Sequence, residues 1–335
     1  MNTQNLSCDN YVATENMLQN YQGIIVASNV PTNTNVIKFS KGDVLLSNIR
    51  PYLKKVWFAD KSGGCSADVF VFKAFPACVP GFLHHIIAND RFINFAMSGA
   101  KGVKMPRGDK EQMKTYEIGL PSIKEQNKIA KLLSLLDERI ATQSKVIDKL
   151  QSLIKGIAQY CIKGLAYSNA KIKLGDICQI TTGKLDANAQ VTNGMYPFFT
   201  CAEQPFQINT YAFDTEALLI SGNGANLGYI NYYKGRFNAY QRTYVLDNFK
   251  VNIQYIKCAL KVLLPQRIAI EKSLSNTPYI VLSTLSEMTL PMQNIKEQRI
   301  IVNLMQFLER RLSEQAKLSG CYNKLKQYLL RQMFI

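Results

Sequence analysis

Apolar residues recur every three or four positions along two long stretches of the chain, residues 120–162 and 290–335. In the first stretch the steps alternate between four and three, which is the spacing of a heptad seam along one side of an α-helix. A helix with so long an apolar stripe needs a partner helix to cover it. The predicted seam comprises Ile129, Leu133, Leu136, Ile140, Gln143, Ile147, Leu150, Ile154, Ile157 and Cys161.

The second stretch repeats the first, because the sequence Ile-Lys-Glu-Gln occurs at Ile123–Gln126 and again 172 residues later at Ile295–Gln298. Gln143 and Gln315 then fall at the same seam position, and antiparallel pairing would bring them together as a polar pair that sets the register. The same offset predicts a second seam of Ile301, Met305, Leu308, Leu312, Gln315, Ser319, Tyr322, Lys326, Leu329 and Met333. The residues expected to pair the two helices at mid-seam are Leu136, Ile140, Gln143, Ile147, Leu308, Leu312 and Gln315.

A block of short apolar runs precedes each long helix, and the two blocks follow the same order. The chain therefore predicts an α+β fold with two similar mixed α/β globules, separated by two long helices that pair as an antiparallel coiled coil. The predicted domains are 1–119, 120–162, 163–289 and 290–335. The predicted strands are 36–39, 43–47, 56–59, 68–72, 217–221, 229–232 and 242–246, with 172–177 a strand or short helix and helices at 80–97 and 251–264.

The net charge of +16 is spread over all four segments and suits a large polyanion such as duplex DNA, although charge alone is weak evidence. No apolar run approaches the roughly 20 residues of a membrane span, and the polar N-terminus has no signal-peptide pattern, so we expect a cytoplasmic protein that does not enter membranes. The eight cysteines form no C-x-x-C pair and the two histidines are adjacent, so no metal site is expected. No motif for a catalytic nucleophile or a phosphate loop occurs.

Several short motifs recur in the same order along the two halves of the chain: Leu120-Pro121 with Ile123–Gln126, Leu290-Pro291 with Ile295–Gln298, Lys41–Leu46, Lys173–Ile177 and Ser221–Asn226. By these motifs the chain resembles the specificity subunit of a type I DNA restriction–modification system over almost its whole length. The resemblance implies two target-recognition domains that each read one half of a split site in double-stranded DNA. It also implies that the helices set the spacing and dock methyltransferase subunits, with restriction subunits joining outside. The family has no catalytic centre, so the methyl donor and ATP would be bound by partner subunits.

The two globules differ at their beginnings. The second opens with Lys173–Ile177, whereas the first has no equivalent because Met1–Asn10 reach Tyr11 too soon. We therefore expect the first domain to lack this opening segment.

Glycine-rich and basic loops are the candidate DNA contacts. Gly222–Gly228 follows an apolar strand, but its spacing and the strand after it disfavour a dinucleotide loop. A plain turn and a DNA-reading loop both remain open there, as do a solvated hairpin and phosphate or guanine contacts in the other loops. The candidates are Asn48, Arg50, Lys54, Lys55, Lys101, Lys104, Arg107, Asn223, Asn226, Lys234, Arg236, Gln241 and Arg242.

A second function class also fits the pattern. The chain could be a coiled-coil scaffold whose globules bind protein without DNA specificity. Salt distinguishes the two, because DNA binding driven by phosphate contacts weakens steeply as salt rises.

Overall fold

The computed structural model describes residues 6–32, 35–164, 170–275 and 279–334. The chain divides into two compact units. Unit 1 comprises Met1–Lys145 with Lys317–Ile335, and unit 2 comprises Val146–Ala316. Each unit therefore contains part of both long helices. The four-domain division expected from the sequence stays a prediction.

Unit 1 contains two small sheets and three short helices. The sheets have the strand orders β1-β5-β2 and β4-β3-β6, and every strand pair except β1–β5 is antiparallel. The strands are β1 (Tyr11–Val12), β2 (Ile37–Phe39), β3 (Val44–Ser47), β4 (Val56–Phe58), β5 (Gly63–Cys65) and β6 (Val69–Phe72). The helices are α1 (Pro80–Ile87), α2 (Asp90–Ser98) and α3 (Lys110–Lys114).

The single helix expected over residues 80–97 is wrong, because the structure has two helices there. Asn89 separates them in an extended conformation, and its side chain accepts a hydrogen bond from the Arg91 N–H at 3.0 Å. An asparagine that caps a helix in this way satisfies one of the unpaired N–H groups of the first turn. The apolar pattern continues across this cap, so periodicity alone did not reveal the break.

Unit 2 is built around one six-stranded sheet, β10-β9-β12-β11-β13-β8, with a separate pair β14-β7. Helix α6 passes through Pro265, so the expectation that it ends at residue 264 is wrong. The strands are β7 (Ala170–Lys173), β8 (Gln179–Thr182), β9 (Tyr196–Phe199), β10 (Phe206–Ile208), β11 (Phe213–Ser221), β12 (Ile230–Ala239), β13 (Thr243–Asp247) and β14 (Thr289–Met292). The helices are α5 (Leu174–Ile177), α6 (Ile253–Ser275) and α7 (Leu282–Ser286).

The internal repeat of the globules is confirmed by strand register. In unit 1, Leu45 is paired with Trp57 on one side and Val71 on the other. In unit 2, Leu219 lies 174 residues later and is paired with Asn231 and Val245, which lie 174 residues after the partners of Leu45. The central three strands of both units therefore share one register.

The opening segment of unit 2 contributes β7, which pairs with β14. Residues 117–120 of unit 1 align with β14 at the offset of 172, and they form no strand. Residues 1–5, on which the expected absence of an opening segment partly rests, lie outside the described residues.

Helices α4 (Ile123–Gln159) and α8 (Ile295–Met333) carry the predicted seams, and every seam position is buried or half-buried. In unit 1, Ala130 of α4 packs in one cluster with Phe334, while Asp137 of α4 forms an ion pair with Lys326 of α8 at 2.5 Å. Rising numbers on α4 thus meet falling numbers on α8, which makes the helices antiparallel. In unit 2, Ala158, Ile301 and Met305 share one core cluster. No helix within the described ranges is long and apolar enough to cross a membrane.

Candidate nucleic-acid interface

Each unit has a loop between its two central strands, and the two loops follow the same backbone path. Loop A is residues 48–55 of unit 1, and loop B is residues 222–229 of unit 2. Each loop is closed by a hydrogen bond of 3.0 Å, from the Ser47 N–H to the Lys55 carbonyl and from the Ser221 N–H to the Tyr229 carbonyl. The first residue of each loop also donates its backbone N–H to the carbonyl of the residue just before β6 or β13. These bonds run from Asn48 to Asp68 and from Gly222 to Arg242, both at 2.8 Å.

Two positions in each loop adopt left-handed backbone conformations. In loop A these are Arg50, with φ 51°, and Lys54, with φ 55°. In loop B the equivalent positions are Gly224, with φ 78°, and Gly228, with φ 81°. A residue with a Cβ atom pays a conformational free energy of roughly 1–2 kcal/mol in this conformation, whereas glycine, which has no Cβ, avoids it. Loop A therefore accepts backbone strain at two of its three cationic positions.

A second segment is attached to each loop in the same way. In unit 1, the Arg50 N–H donates to the Pro106 carbonyl at 2.8 Å, and the Gly108 N–H donates to the Asn48 carbonyl at 3.2 Å. In unit 2, the Ile280 N–H donates to the Gly222 carbonyl at 2.8 Å. The predicted basic loop around residues 101–107 is therefore joined to loop A, and residues 276–278 of unit 2 lie outside the described residues.

Most of the predicted cationic contacts of unit 1 have a partner within the unit. Lys54 lies 2.7 Å from Asp90, Lys101 lies 3.0 Å from Asp109, and Arg107 lies 3.2 Å from Asp68. The Lys55 ammonium donates to the Thr14 carbonyl at 2.5 Å. These pairs orient the side chains, and the exposed ones can exchange a carboxylate for a phosphate. Lys104 is exposed, whereas Asn48 Oδ1 and Arg50 Nε are buried without a hydrogen-bond partner in the described part of the chain.

The predicted contacts of unit 2 fall into two groups. Arg236 and Lys234 lie on β12 and face carboxylates of β11, at 2.9 Å from Asp214 and 3.8 Å from Glu216. The others surround loop B. Arg242 lies over the ring of Tyr279 at 5.8 Å, Gln241 is exposed, Asn223 is half-buried, and the Asn226 amide donates to the Cys201 carbonyl at 3.0 Å. The amide of Asn226 is thus partly committed to the fold, and that of Asn223 is the better candidate for reading a base.

Sequence reasoning missed three exposed residues at this surface. Tyr52 lies at the tip of loop A with a relative exposure of 48%, and the 174-residue offset aligns it with Asn226. Val103 and Met105 lie between the predicted cations of the basic loop, and both are exposed. Alignment with the candidate Asn226 could have identified Tyr52 from the sequence, whereas only the structure shows that the two apolar residues point away from the core.

A separate polar cluster in unit 1 brings together His84, His85 and Asp137, whose ligand-type atoms lie within 4.8 Å of one another. Burial first, and then the nearby Lys326 ammonium, lower the pKa of His85 to about 3, so both imidazole nitrogens are uncharged near neutral pH. Within the described ranges these are the residues that could hold a metal ion. The Lys326 ammonium lies 2.5 Å from Asp137 Oδ1, so its positive charge would oppose a metal ion at this carboxylate.

A family model for the type I restriction modification DNA specificity domain matches this chain twice, over residues 5–152 and 168–319. The chain is 37% identical over 158 residues to the type I restriction enzyme EcoDI specificity subunit of Escherichia coli, an alignment that covers 47% of this chain and 35% of that relative. It is 24% identical over 246 residues to a putative type I specificity subunit of Mycoplasma genitalium, covering 66% of this chain and 62% of the relative. Both alignments span less than two thirds of the relatives' own length.

Two solved structures share the fold. The crystal structure of a type I restriction–modification S subunit from M. genitalium matches with a TM-score of 0.69 at 18% identity, covering all of this chain and 91% of that one. A structure from work on complex assembly of the type I system matches with a TM-score of 0.61 at 20% identity, covering 96% and 90%. Because the family model matches both globules, the chain belongs to the type I restriction modification DNA specificity domain family.

Proposed function

We propose that this chain is the sequence-specific DNA-binding subunit of a type I restriction–modification complex and that each unit reads one part of a two-part site. The observation that carries the proposal is the repeated loop: the same backbone path recurs at the same place in both sheets, with different side chains on it. Two domains that recognise different half-sites can share one backbone conformation if their side chains differ, because side chains are the groups that read base identity. The coiled-coil scaffold alternative has no support from the relatives.

In unit 2 we assign base reading to Asn223. An asparagine amide can donate to and accept from one adenine edge, and losing such a bidentate contact removes about 1–3 kcal/mol of discrimination. The arginine and lysine side chains around both loops then supply phosphate contacts, which orient the chain on the duplex without reading sequence. Arg50 in loop A has a charged group of the kind that pairs with guanine.

Methylome sequencing of a host that expresses this chain with its methyltransferase partner tests the proposal. We expect a split motif with two defined parts and an undefined spacer, and an uninterrupted motif would contradict two readers. Asn223→Ala should relax one part of the motif and leave the other part and the spacer intact. Asn188→Ala is the matched control, because Asn188 is an exposed amide of the same unit outside loop B and has no left-handed backbone conformation. An unchanged motif at normal activity for Asn223→Ala would remove loop B from the reading surface.

We also assign the exposed faces of the long helices to the methyltransferase subunits. Beside the buried seam, α4 and α8 carry a second set of apolar residues that remain exposed and are largely spaced by three, four or seven positions. Such a stripe fits an apolar helix of a partner. In unit 1 these residues are Leu132, Leu135, Leu318, Leu325 and Tyr328, and in unit 2 they are Val146, Leu153, Ile300, Leu304 and Phe307.

Catalysis in this proposal belongs to the partners. Methyltransferase subunits bind the methyl donor, restriction subunits that join outside them bind ATP, and this chain holds no cofactor. The complex acts on DNA in the cytoplasm.

A further inference from the structure

Val103 and Met105 form an apolar tip on a strongly basic hairpin, here called the basic hairpin (residues 101–107). Val103 has a relative exposure of 103% and Met105 of 50%. Neither residue belongs to a core cluster of the described chain. The fold therefore leaves Val103 fully exposed and covers only part of Met105, so further burial of the two side chains would have to come from a partner.

Backbone hydrogen bonds close the hairpin that carries this tip. The two ends of the hairpin are joined by a reciprocal pair of hydrogen bonds, from the Lys101 N–H to the Arg107 carbonyl and from the Arg107 N–H to the Lys101 carbonyl, each 2.9 Å. Lys101 lies 3.0 Å from Asp109 and Arg107 lies 3.2 Å from Asp68, in exposed ion pairs that a phosphate can replace. A hairpin closed by backbone hydrogen bonds loses less conformational freedom on binding than an open loop, which favours insertion of its tip.

The charges around the tip identify the partner. Lys101, Lys104 and Arg107 surround the two apolar side chains, and the hairpin is hydrogen-bonded to loop A through Arg50. A membrane or an acidic protein would also attract cations, but here the hairpin is joined to the candidate DNA-reading loop of the same unit. Proteins that bend DNA combine minor-groove cations with apolar side chains that wedge between base steps.

We propose that the basic hairpin inserts Val103 and Met105 as a wedge into the minor groove of duplex DNA and kinks it. The cations clamp the phosphates on either side of the opened base step. The hairpin thus contributes to specificity through the deformability of the step, with no base contact required. This inference rests on the proposed function.

The test uses the full chain assembled with its methyltransferase and a duplex that carries the methylated motif, with a fluorescence donor and acceptor at its ends. Wild-type complex should shorten the end-to-end distance. The double variant Val103→Ser, Met105→Ser should leave the duplex straight and bind it about tenfold more weakly, because the kink is no longer supported. A mismatch at the opened step, which removes most of the unstacking requirement, should restore binding of the serine variant.

Lys104→Ala is the control for charge. It should weaken binding to all duplexes and reduce the salt slope by about 1 while the kink persists. Both wedge side chains are exposed, so the melting temperature of the serine variant should match that of the wild type. An unchanged kink in the serine variant overturns the wedge. If the proposed function itself is wrong, the wild-type complex would bind all duplexes without motif preference, and the wedge proposal would be wrong as well. That result differs from a motif-specific complex whose kink is unchanged in the serine variant.

Discussion

Loops A and B reach the same backbone path with different residues at the two left-handed positions. Loop B uses Gly224 and Gly228, whereas loop A uses Arg50 and Lys54. The shared path is held in both units by equivalent hydrogen bonds to the neighbouring strand and to the attached second segment. The comparison teaches that the flanking sheet determines the loop conformation. The left-handed positions can be occupied either by glycine, as in loop B, or by cationic residues, as in loop A. Cationic residues at strained positions indicate that they contribute to function and not only to folding.

The units differ again in their strands. Strands β11 and β12 of unit 2 run without interruption, but the equivalent path in unit 1 is divided into β2 with β3 and β4 with β5. A turn around Gly42, with φ 92°, separates β2 from β3, and the Asp43 carboxylate accepts from the Ser40 N–H at 2.8 Å to close it. Unit 1 therefore has two small sheets where unit 2 has one large sheet. The central register survives this division because it depends only on β3, β4 and β6.

The largest expected effect comes from placing a charge in the seam of either unit. Leu133→Asp in unit 1 and Met305→Asp in unit 2 would bury an unpaired carboxylate, since these side chains are 0% and 3% exposed. We expect each to destabilise its own unit by about 4 kcal/mol or more. Hydrogen exchange followed by mass spectrometry measures the two units separately.

Leu132→Asp is the matched control, because Leu132 is next in sequence but 44% exposed. It should leave hydrogen exchange unchanged and reduce capture of the methyltransferase in a pull-down. Equal destabilisation by Leu132→Asp and Leu133→Asp would contradict the seam assignment.

The second-largest expected difference is in how the stability of the two units depends on pH. Both histidines of the chain lie in unit 1, so acid should destabilise unit 1 more than unit 2. Burial, followed by the charge of Lys326, lowers the pKa of His85 from 6.5 to about 3. Above pH 6.5 neither the folded nor the unfolded state protonates this group, and its contribution to stability is complete. Between pH 6.5 and 3 only the unfolded state binds the proton, so unit 1 loses about 1.4 kcal/mol per pH unit from His85.

The fluorescence of Trp57 follows this loss, because it is the only tryptophan in the chain and lies in unit 1. The urea midpoint of unit 1 should fall between pH 7 and pH 5, and His85→Gln should reduce that dependence. The part due to His84, whose pKa burial also lowers to about 3, should remain. A steeper fall for His85→Gln than for the wild type would contradict the assignment. Hydrogen exchange in unit 2 is the internal control, because unit 2 contains no histidine.

The smallest effect distinguishes the two glycines of loop B. A Cβ at Gly224 would meet nothing within 4 Å, whereas at Gly228 it would lie 2.6 Å from Ile268 Cδ1. Gly224→Ala should therefore cost only the backbone strain, about 1 kcal/mol, and Gly228→Ala more because Ile268 must shift. Hydrogen exchange in unit 2 measures both variants. The reverse order of the two effects would show that the loop is not held in the conformation of loop A.

Much of the candidate site follows from the sequence offset. Residues 174 apart, such as Leu45 and Leu219, are recognisable from their apolar runs, and their equivalence locates both loops without any coordinates. Individual partners are less accessible. The predicted phosphate contact Lys54 turned out to face Asp90, which lies 36 positions away in the chain. Side-chain pairing of this kind depends on how α2 packs against loop A.

The sequence by itself determined the repeat, the two heptad seams and the correspondence of the central strands in the two units, because apolar runs and heptad spacing are local properties of the chain. Only the tertiary structure decided that Asn89 divides one apolar pattern into two helices and that α6 continues through Pro265. It alone also placed Val103 and Met105 outside every core cluster of the described chain. Burial is set by what packs from distant parts of the chain, and local spacing carries no record of that.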